Sequence, residues 1–278
     1  MQNNVASLRL LRAGDEPDLM RLSAAAGWNQ IEADWQRLIE LEPEGCFGAE
    51  CDGVLASSTT AIRYPAGPAW IGMVLTLPEF RGRGLARMLL NHALDWLDSK
   101  GIPSKLDATD MGRPVYERAG YEPEYFVERW CRDPGPIGDA PVVLGSWNGP
   151  AEWRDLDFEA TGTDRAALLG RLAVTGAATI PGEGFALWRP GRVAWQFGPC
   201  VVRSAGAARQ LLLACLAECA DRVVFWDLCP DLADVCRLAS EFGFKPARRL
   251  LRMRRGNCDL RLAQPSPLVC ALASFEYG

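Results

Sequence analysis

Two arginines and two glycines, Arg81-Gly82-Arg83-Gly84, stand where an apolar run gives way to a helical pattern. The run before them, Ala69-Trp-Ile-Gly-Met-Val-Leu-Thr76, is apolar and partly β-branched, as a buried strand should be. Pro78 cannot donate to a sheet ladder and ends that strand. From Leu85 on, Met88, Leu89, Ala93, Trp96 and Leu97 follow the i, i+3, i+4 spacing of a long helix, predicted to reach Lys100. Glycines let a backbone approach a ligand closely, and the free N–H groups of a helix start favour an anion. Arg81, Gly82, Arg83, Gly84, Leu85 and Ala86 therefore predict a phosphate cradle. It is not a P-loop, because no Lys-Ser or Lys-Thr follows Gly84, and Arg87 stands where a dinucleotide turn needs its third glycine.

The elements around the cradle can be read in order. Residues 5–12 predict an opening strand, and helices follow over 17–26 and 31–41, separated by Gly27-Trp-Asn-Gln30. Strands over 45–51 and 53–63 flank the tight turn Cys51-Asp-Gly53. After the cradle helix come a short strand at 105–109, a short helix within 112–121 closed by Gly120, and a strand to Cys131. Residues 132–142 hold three prolines and two glycines without periodicity, which predicts a linker. The second half then repeats the order in abbreviated form. A helix over 164–174 precedes strands at 183–189 and 192–203; a helix over 205–220, a strand over 222–227 and a helix over 231–242 follow. Cys258 to Gly278 reads as extended edge structure, and Arg252-Met-Arg-Arg255 as the exposed face of a late strand.

Composition narrows the function class. The chain has 278 residues, 49% hydrophobic and 23% charged, enough for two ordinary soluble domains. A net charge of −5 argues against a nucleic-acid partner. Without a long apolar run or a signal-like N-terminus, the expectation is a cytoplasmic protein with no membrane span. The ten cysteines are scattered and show no C-x-x-C; Cys215 and Cys219 fit a helix as small hydrophobes. His92 is the one histidine, so a metal site or a Ser-His triad has little to be made from, and no metal is expected.

Arg81, Gly84 and Ala86 match the Arg/Gln-x-x-Gly-x-Gly/Ala signature, and Tyr116, Gly120 and Tyr121 a Tyr-x-x-x-Gly-Phe/Tyr ending. With the strand order, these make residues 1–131 resemble the GNAT acetyltransferases. Glu241-Phe-Gly-Phe244 repeats the helix-Gly-Phe ending in the second half. The resemblance implies an α/β (α+β) GNAT fold, a mixed, mostly antiparallel sheet flanked by helices, in two tandem domains. Residues 1–131 would be the catalytic domain, 132–142 the linker and 143–278 a degenerate copy. Degeneracy follows from Val202-Arg-Ser-Ala-Gly-Ala-Ala208, which breaks the cradle pattern, and from Ala239 where the family ending carries Tyr.

That resemblance implies an N-acetyltransferase passing an acetyl group from acetyl-CoA directly to a primary amine, most simply that of a small molecule. A non-catalytic acyl-CoA sensor and an acetyltransferase of protein N-termini or lysines are the alternatives. The cradle would hold the pyrophosphate and Val74, Leu75 and Thr76 the pantetheine arm, with a backbone N–H on the thioester oxygen. Thr109 stands where many members carry a pantetheine-binding Asn. Tyr116 matches the acid that protonates the leaving thiolate; packing its ring on the cofactor is the alternative. For the base, Asp107, at a strand end facing the cofactor helix, is preferred to Asp110 and Glu79. Trp28 and Asn29 are placed at the acceptor site, a core plug being the alternative for Trp28. A monomer or homodimer is expected.

Overall fold

The computed structural model describes residues 6–137, 144–259 and 263–278. Residue 5 of the expected opening strand and residues 138–142 of the expected linker lie outside them. The first half runs β1 (Ser7–Leu10), α1 (Glu16–Ala25), α2 (Glu32–Leu41), β2 (Cys46–Cys51), β3 (Val54–Ile62), β4 (Ala69–Thr76), α3 (Leu85–Asp98), β5 (Ser104–Ala108), α4 (Arg113–Arg118) and β6 (Glu122–Arg132). The second runs α5 (Arg154–Thr161), α6 (Ala166–Leu172), β7 (Gly176–Ile180), β8 (Gly184–Arg189), β9 (Trp195–Val202), α7 (Ala205–Cys219), β10 (Val224–Leu228), α8 (Ala233–Glu241), β11 (Lys245–Arg255) and β12 (Val269–Ala271). Helix α5 and strand β7 are additions to the expected order. The Ala-Ala-Thr core of β7 is too short and weakly alternating to stand out from loop.

The described strands form one mixed, mostly antiparallel twelve-stranded sheet in the order β1-β2-β3-β4-β5-β11-β6-β10-β9-β8-β7, with β12 beside β9. The halves do not simply abut. Strand β11 of the second half inserts between β5 and β6 of the first, antiparallel to both. Strand β6 in turn pairs with β10. Strand β11 thus completes the sheet of the first half, and β6 that of the second. This corrects the expectation that Arg252-Met-Arg-Arg255 decorates an exposed face: β11 is a central strand, and Arg252 and Met253 are buried.

Helices cover both faces. Leu85, Leu89, Leu90, Ala93, Leu94 and Leu97 of α3 pack on Phe47, Ile71, Leu106 and Met253. Each buried leucine contributes about 1.5–3 kcal/mol relative to exposure, so the helix that begins at the cradle is firmly anchored. On the other face α1, α2, α5 and α6 share a core with the tail's Tyr277, which is fully buried. The end of the tail, residues 270–274 with Glu276 and Tyr277, is therefore core rather than edge, while Val269–Ala271 forms the extended strand β12 beside β9. No helix among the described residues is long and apolar enough to cross a membrane.

Candidate functional site

Gly82 and Gly84 take φ of 76° and 79°, the left-handed region that favours glycine. Gly84 is the N-cap of α3 and no side chain caps the helix, so its first N–H groups are left to a ligand or solvent. Arg81 to Gly84 are exposed, whereas Leu85 is buried and pins the turn to the core. The Arg81 Nε–H donates to Thr76 O at 3.4 Å. Arg83 donates to Glu79 O at 3.1 Å and lies over the Phe80 ring. A Cβ built on Gly82 would meet nothing within 4 Å. The turn is open, cationic and rich in backbone donors, as a pyrophosphate site requires.

Strands β4 and β5 pair only at Ala69/Ser104 and Trp70/Lys105. Strand β5 pairs with β11 along its whole length and β4 with β3, but beyond these two pairs no ladder joins β4 to β5, so the two strands part toward the cradle. The edge carrying Val74, Leu75 and Thr76 has no ladder with β5, and an extended amide-bearing arm fits there by strand addition. At the bulge in β4, Met73 takes φ of 51°. A non-glycine residue held there costs of order 1 kcal/mol, and such strain gathers at functional sites. Ser58 Oγ–H donates to Met73 O at 2.8 Å and Ser57 Oγ–H to Leu75 O at 2.6 Å. These hydroxyls replace ladder bonds that the bulge breaks. Met73, Ser57 and Ser58 escape a motif reading. The available signal is Ser57-Ser58-Thr59-Thr60, four hydroxyl residues in one strand, all buried.

Tyr116 stands on α4 beside this groove, half-buried, with its ring edge-on to Tyr121 at 6.1 Å. Tyr121 is itself fixed by a 2.6 Å hydrogen bond to Ser104 Oγ. Burial pushes the Tyr116 phenol up to about 12, because charge is disfavoured away from water. The phenol is thus a proton donor throughout the neutral range. Thr109 holds the entry to α4: its Oγ1 accepts the Gly112 N–H at 3.1 Å, and its carbonyl accepts the Arg113 N–H at 2.8 Å.

Asp107 does not face α3, contrary to the expectation that set it toward that helix. Leu106 and Ala108 pack on the α3 side, so strand alternation sends Asp107 to the opposite face. There both its oxygens accept from Arg252, at 2.9 Å each, with the carboxylate wholly buried. A carboxylate spent on a bidentate arginine pair is poorly placed to take a proton. The sequence reading missed this because β11 arrives from 145 residues away. Glu79 and Asp110 are exposed.

Trp28 and Asn29 join the two halves. Asn29 Oδ1 accepts the Val193 and Ala194 N–H groups at 2.9 and 3.0 Å, and its Nδ2 donates to Ala194 O at 3.0 Å. Trp28 O accepts from Arg192, and its ring lies 5.7 Å from the Arg248 guanidinium. Replacing Asn29 by Ala strands two backbone donors and an acceptor. The expected loss is about 2–3 kcal/mol, read as a fall of roughly 4–10 °C in Tm by calorimetry.

The second half differs at the equivalent places. Strands β9 and β10 pair over Trp195–Phe197 and then part. The gap is occupied by β12, which pairs with β9; Leu272 donates its N–H to Asp227 O at 2.8 Å, and Trp226 donates to Cys270 O at 2.9 Å. Helix α7 begins at Ser204, whose Oγ accepts the Ala207 N–H. The chain's own backbone thus occupies the gap between β9 and β10.

Comparison with known proteins agrees with this architecture. Residues 16–121 match the model of the acetyltransferase (GNAT) family, and residues 153–265 match that of an acetyltransferase (GNAT) domain. An uncharacterized N-acetyltransferase of Bacillus subtilis, YitH, is 25% identical over 208 residues, 70% of this chain and 72% of that one. The crystal structure of a putative acetyltransferase from Pyrococcus horikoshii superimposes with a TM-score of 0.85 at 21% identity, over 100% of this chain and 99% of that one. A tandem GNAT protein from the clavulanic acid biosynthesis pathway gives 0.62 at 16% identity, over 94% and 100%.

Proposed function

Because the chain belongs to the GNAT acetyltransferase family, as an enzyme with one such unit in each half, we propose that it transfers the acetyl group of acetyl-CoA to the primary amine of a small molecule. Residues 1–131 form the catalytic domain in this reading, 132–142 the linker, and 143–278 a second domain without a donor site of its own. The observation that carries it is the parting of β4 and β5 toward an uncapped, glycine-lined helix start. The filling of the equivalent gap by β12 supports one donor site per chain.

Acetyl-CoA supplies an acyl carbon activated as a thioester. Backbone N–H groups of Gly82 to Ala86 and the side chain of Arg81 bind its pyrophosphate, helped by the positive end of α3. Val74, Leu75 and Thr76 orient the pantetheine arm by main-chain hydrogen bonds, and Thr109 fixes the helix that carries Tyr116. An N–H at the β4 bulge stabilises charge on the carbonyl oxygen. The amine nitrogen bonds to the acyl carbon as the C–S bond breaks. Tyr116 delivers its proton to the departing sulfur. The proton lost by the amine passes to water, and solvent restores the phenol. Trp28 and Asn29 border the acceptor side by holding the 191–194 loop of the second half against the α1–α2 connection, and Asp107 serves there by fixing Arg252.

Calorimetric titration of acetyl-CoA into the protein tests the reading. One site per chain of micromolar affinity is expected; absence of binding overturns it.

A further inference from the structure

Where β4 and β5 begin to part, on the face away from α3, lies a cavity of about 70 Å³, room for about five waters. Trp70 and Lys105, the last pair on which the two strands meet, line it together with Tyr125 and Arg252. Tyr64 and the tail's Tyr277 close it. Aromatic and cationic side chains stand on its wall among small polar and aliphatic ones, and among the described residues no Asp, Glu or His side chain lines it. The acids that balance the cations stand behind them: Glu124 at 2.8 Å from Lys105 Nζ, and Asp107 on Arg252 Nε and Nη2. Arg165 is taken up by Asp157 and by Gly278 O. Arg252 Nη1 makes a single long hydrogen bond, 3.3 Å to Tyr125 Oη, and its guanidinium lies 4.6 Å from the Trp70 ring centroid.

We propose that this cavity receives the acceptor, and that the acceptor is a small amine bearing a carboxylate on a planar apolar body. The inference rests on the acetyltransferase reading above. Trp70, Tyr64 and Tyr125 offer flat apolar surface to the body of such a ligand. A carboxylate finds Arg252 Nη1, whose charge-assisted bonds are about twice as strong as neutral ones. A second ammonium would instead meet the cations Lys105 and Arg252, which selects against polyamines. With its carboxylate held at Arg252, the ligand directs its amine to the gap between β4 and β5.

Benzoate, which cannot be acetylated, and the matched amines 4-(aminomethyl)benzoate and benzylamine are the probes. Calorimetry is expected to show benzoate binding with acetyl-CoA already bound. Leu232→Trp, which fills the cavity from a half-buried loop position, should lose benzoate while keeping acetyl-CoA affinity. At saturating acetyl-CoA, kcat/KM for 4-(aminomethyl)benzoate should exceed that for benzylamine at least tenfold. Absent benzoate binding, benzoate binding unchanged by Leu232→Trp, or benzylamine as the equal substrate would each overturn the proposal. Acetyl-CoA affinity, measured in the same titrations, separates these outcomes from a failure of the acetyltransferase reading itself.

Discussion

Tyr116→Phe is expected to lower kcat by about 10²- to 10⁴-fold, the range in which a positioned general acid acts, while leaving acetyl-CoA affinity within about twofold. The substitution removes one oxygen from a ring that packs on Tyr121. The aromatic body, and with it α4, stays in place. A purely packing tyrosine would leave kcat nearly unchanged, so single-turnover acetylation and calorimetric titration of the same variant decide the role. The pH profile adds a second readout. Burial raises this phenol to about 12, above the ordinary value of about 10, so Tyr116 causes no alkaline fall in kcat below about pH 10. The sign for stability follows. The raised pKa means the folded protein holds this proton more tightly, a contribution present below pH 10 and lost as pH climbs toward 12. At neutral pH the stabilities of wild type and variant should therefore keep a constant difference.

The other large effect is expected at the cradle. Gly84→Glu should lower acetyl-CoA affinity by more than 100-fold, about 2.7 kcal/mol. Two causes act together. A side chain at φ of 79° is strained by about 1–2 kcal/mol, and the new carboxylate occupies the helix start that would otherwise meet a phosphate. Gly84→Ala separates them, carrying the strain without the charge, and should stay within about tenfold of wild type. A carboxylate near a helix N-terminus also stabilises the helix by about 0.3–1 kcal/mol. Gly84→Glu should thus be no less stable than Gly84→Ala in thermal unfolding. Wild-type affinity in the Glu variant would remove the pyrophosphate from this turn.

Much of the fold was legible because its determinants are local. The α3 stripe from Leu85 to Leu97 is a periodicity within one helix, and Arg81, Gly84 and Ala86 act through a backbone turn that neighbouring residues fix. The Asp52-Gly53 hairpin is local in the same sense, both residues taking positive φ. The spacing of Tyr116 from Gly120 and Tyr121 is legible for the same reason: it belongs to one short helix and its exit.

What the chain's order could not reveal is which distant strands meet. Arg252 reads as a surface cation beside Arg254 and Arg255 until β11 is placed between β5 and β6, where its guanidinium takes both oxygens of Asp107. The two residues are then a buried pair, and the preferred base is spent. Ser57 and Ser58 read as strand residues of no special kind until the β4 bulge leaves carbonyls for them to satisfy. The tail reads as uninformative because its burial depends on clefts made by both halves. Once those exist, β12 fills the second gap and Tyr277 reaches the core of the first. Sequence alone determined most of the elements, the family and the glycine turn at the start of α3, since periodicity and turn chemistry act over a few residues. Tertiary structure alone decided which strands pair and which charges meet, because both depend on contacts between residues more than a hundred positions apart.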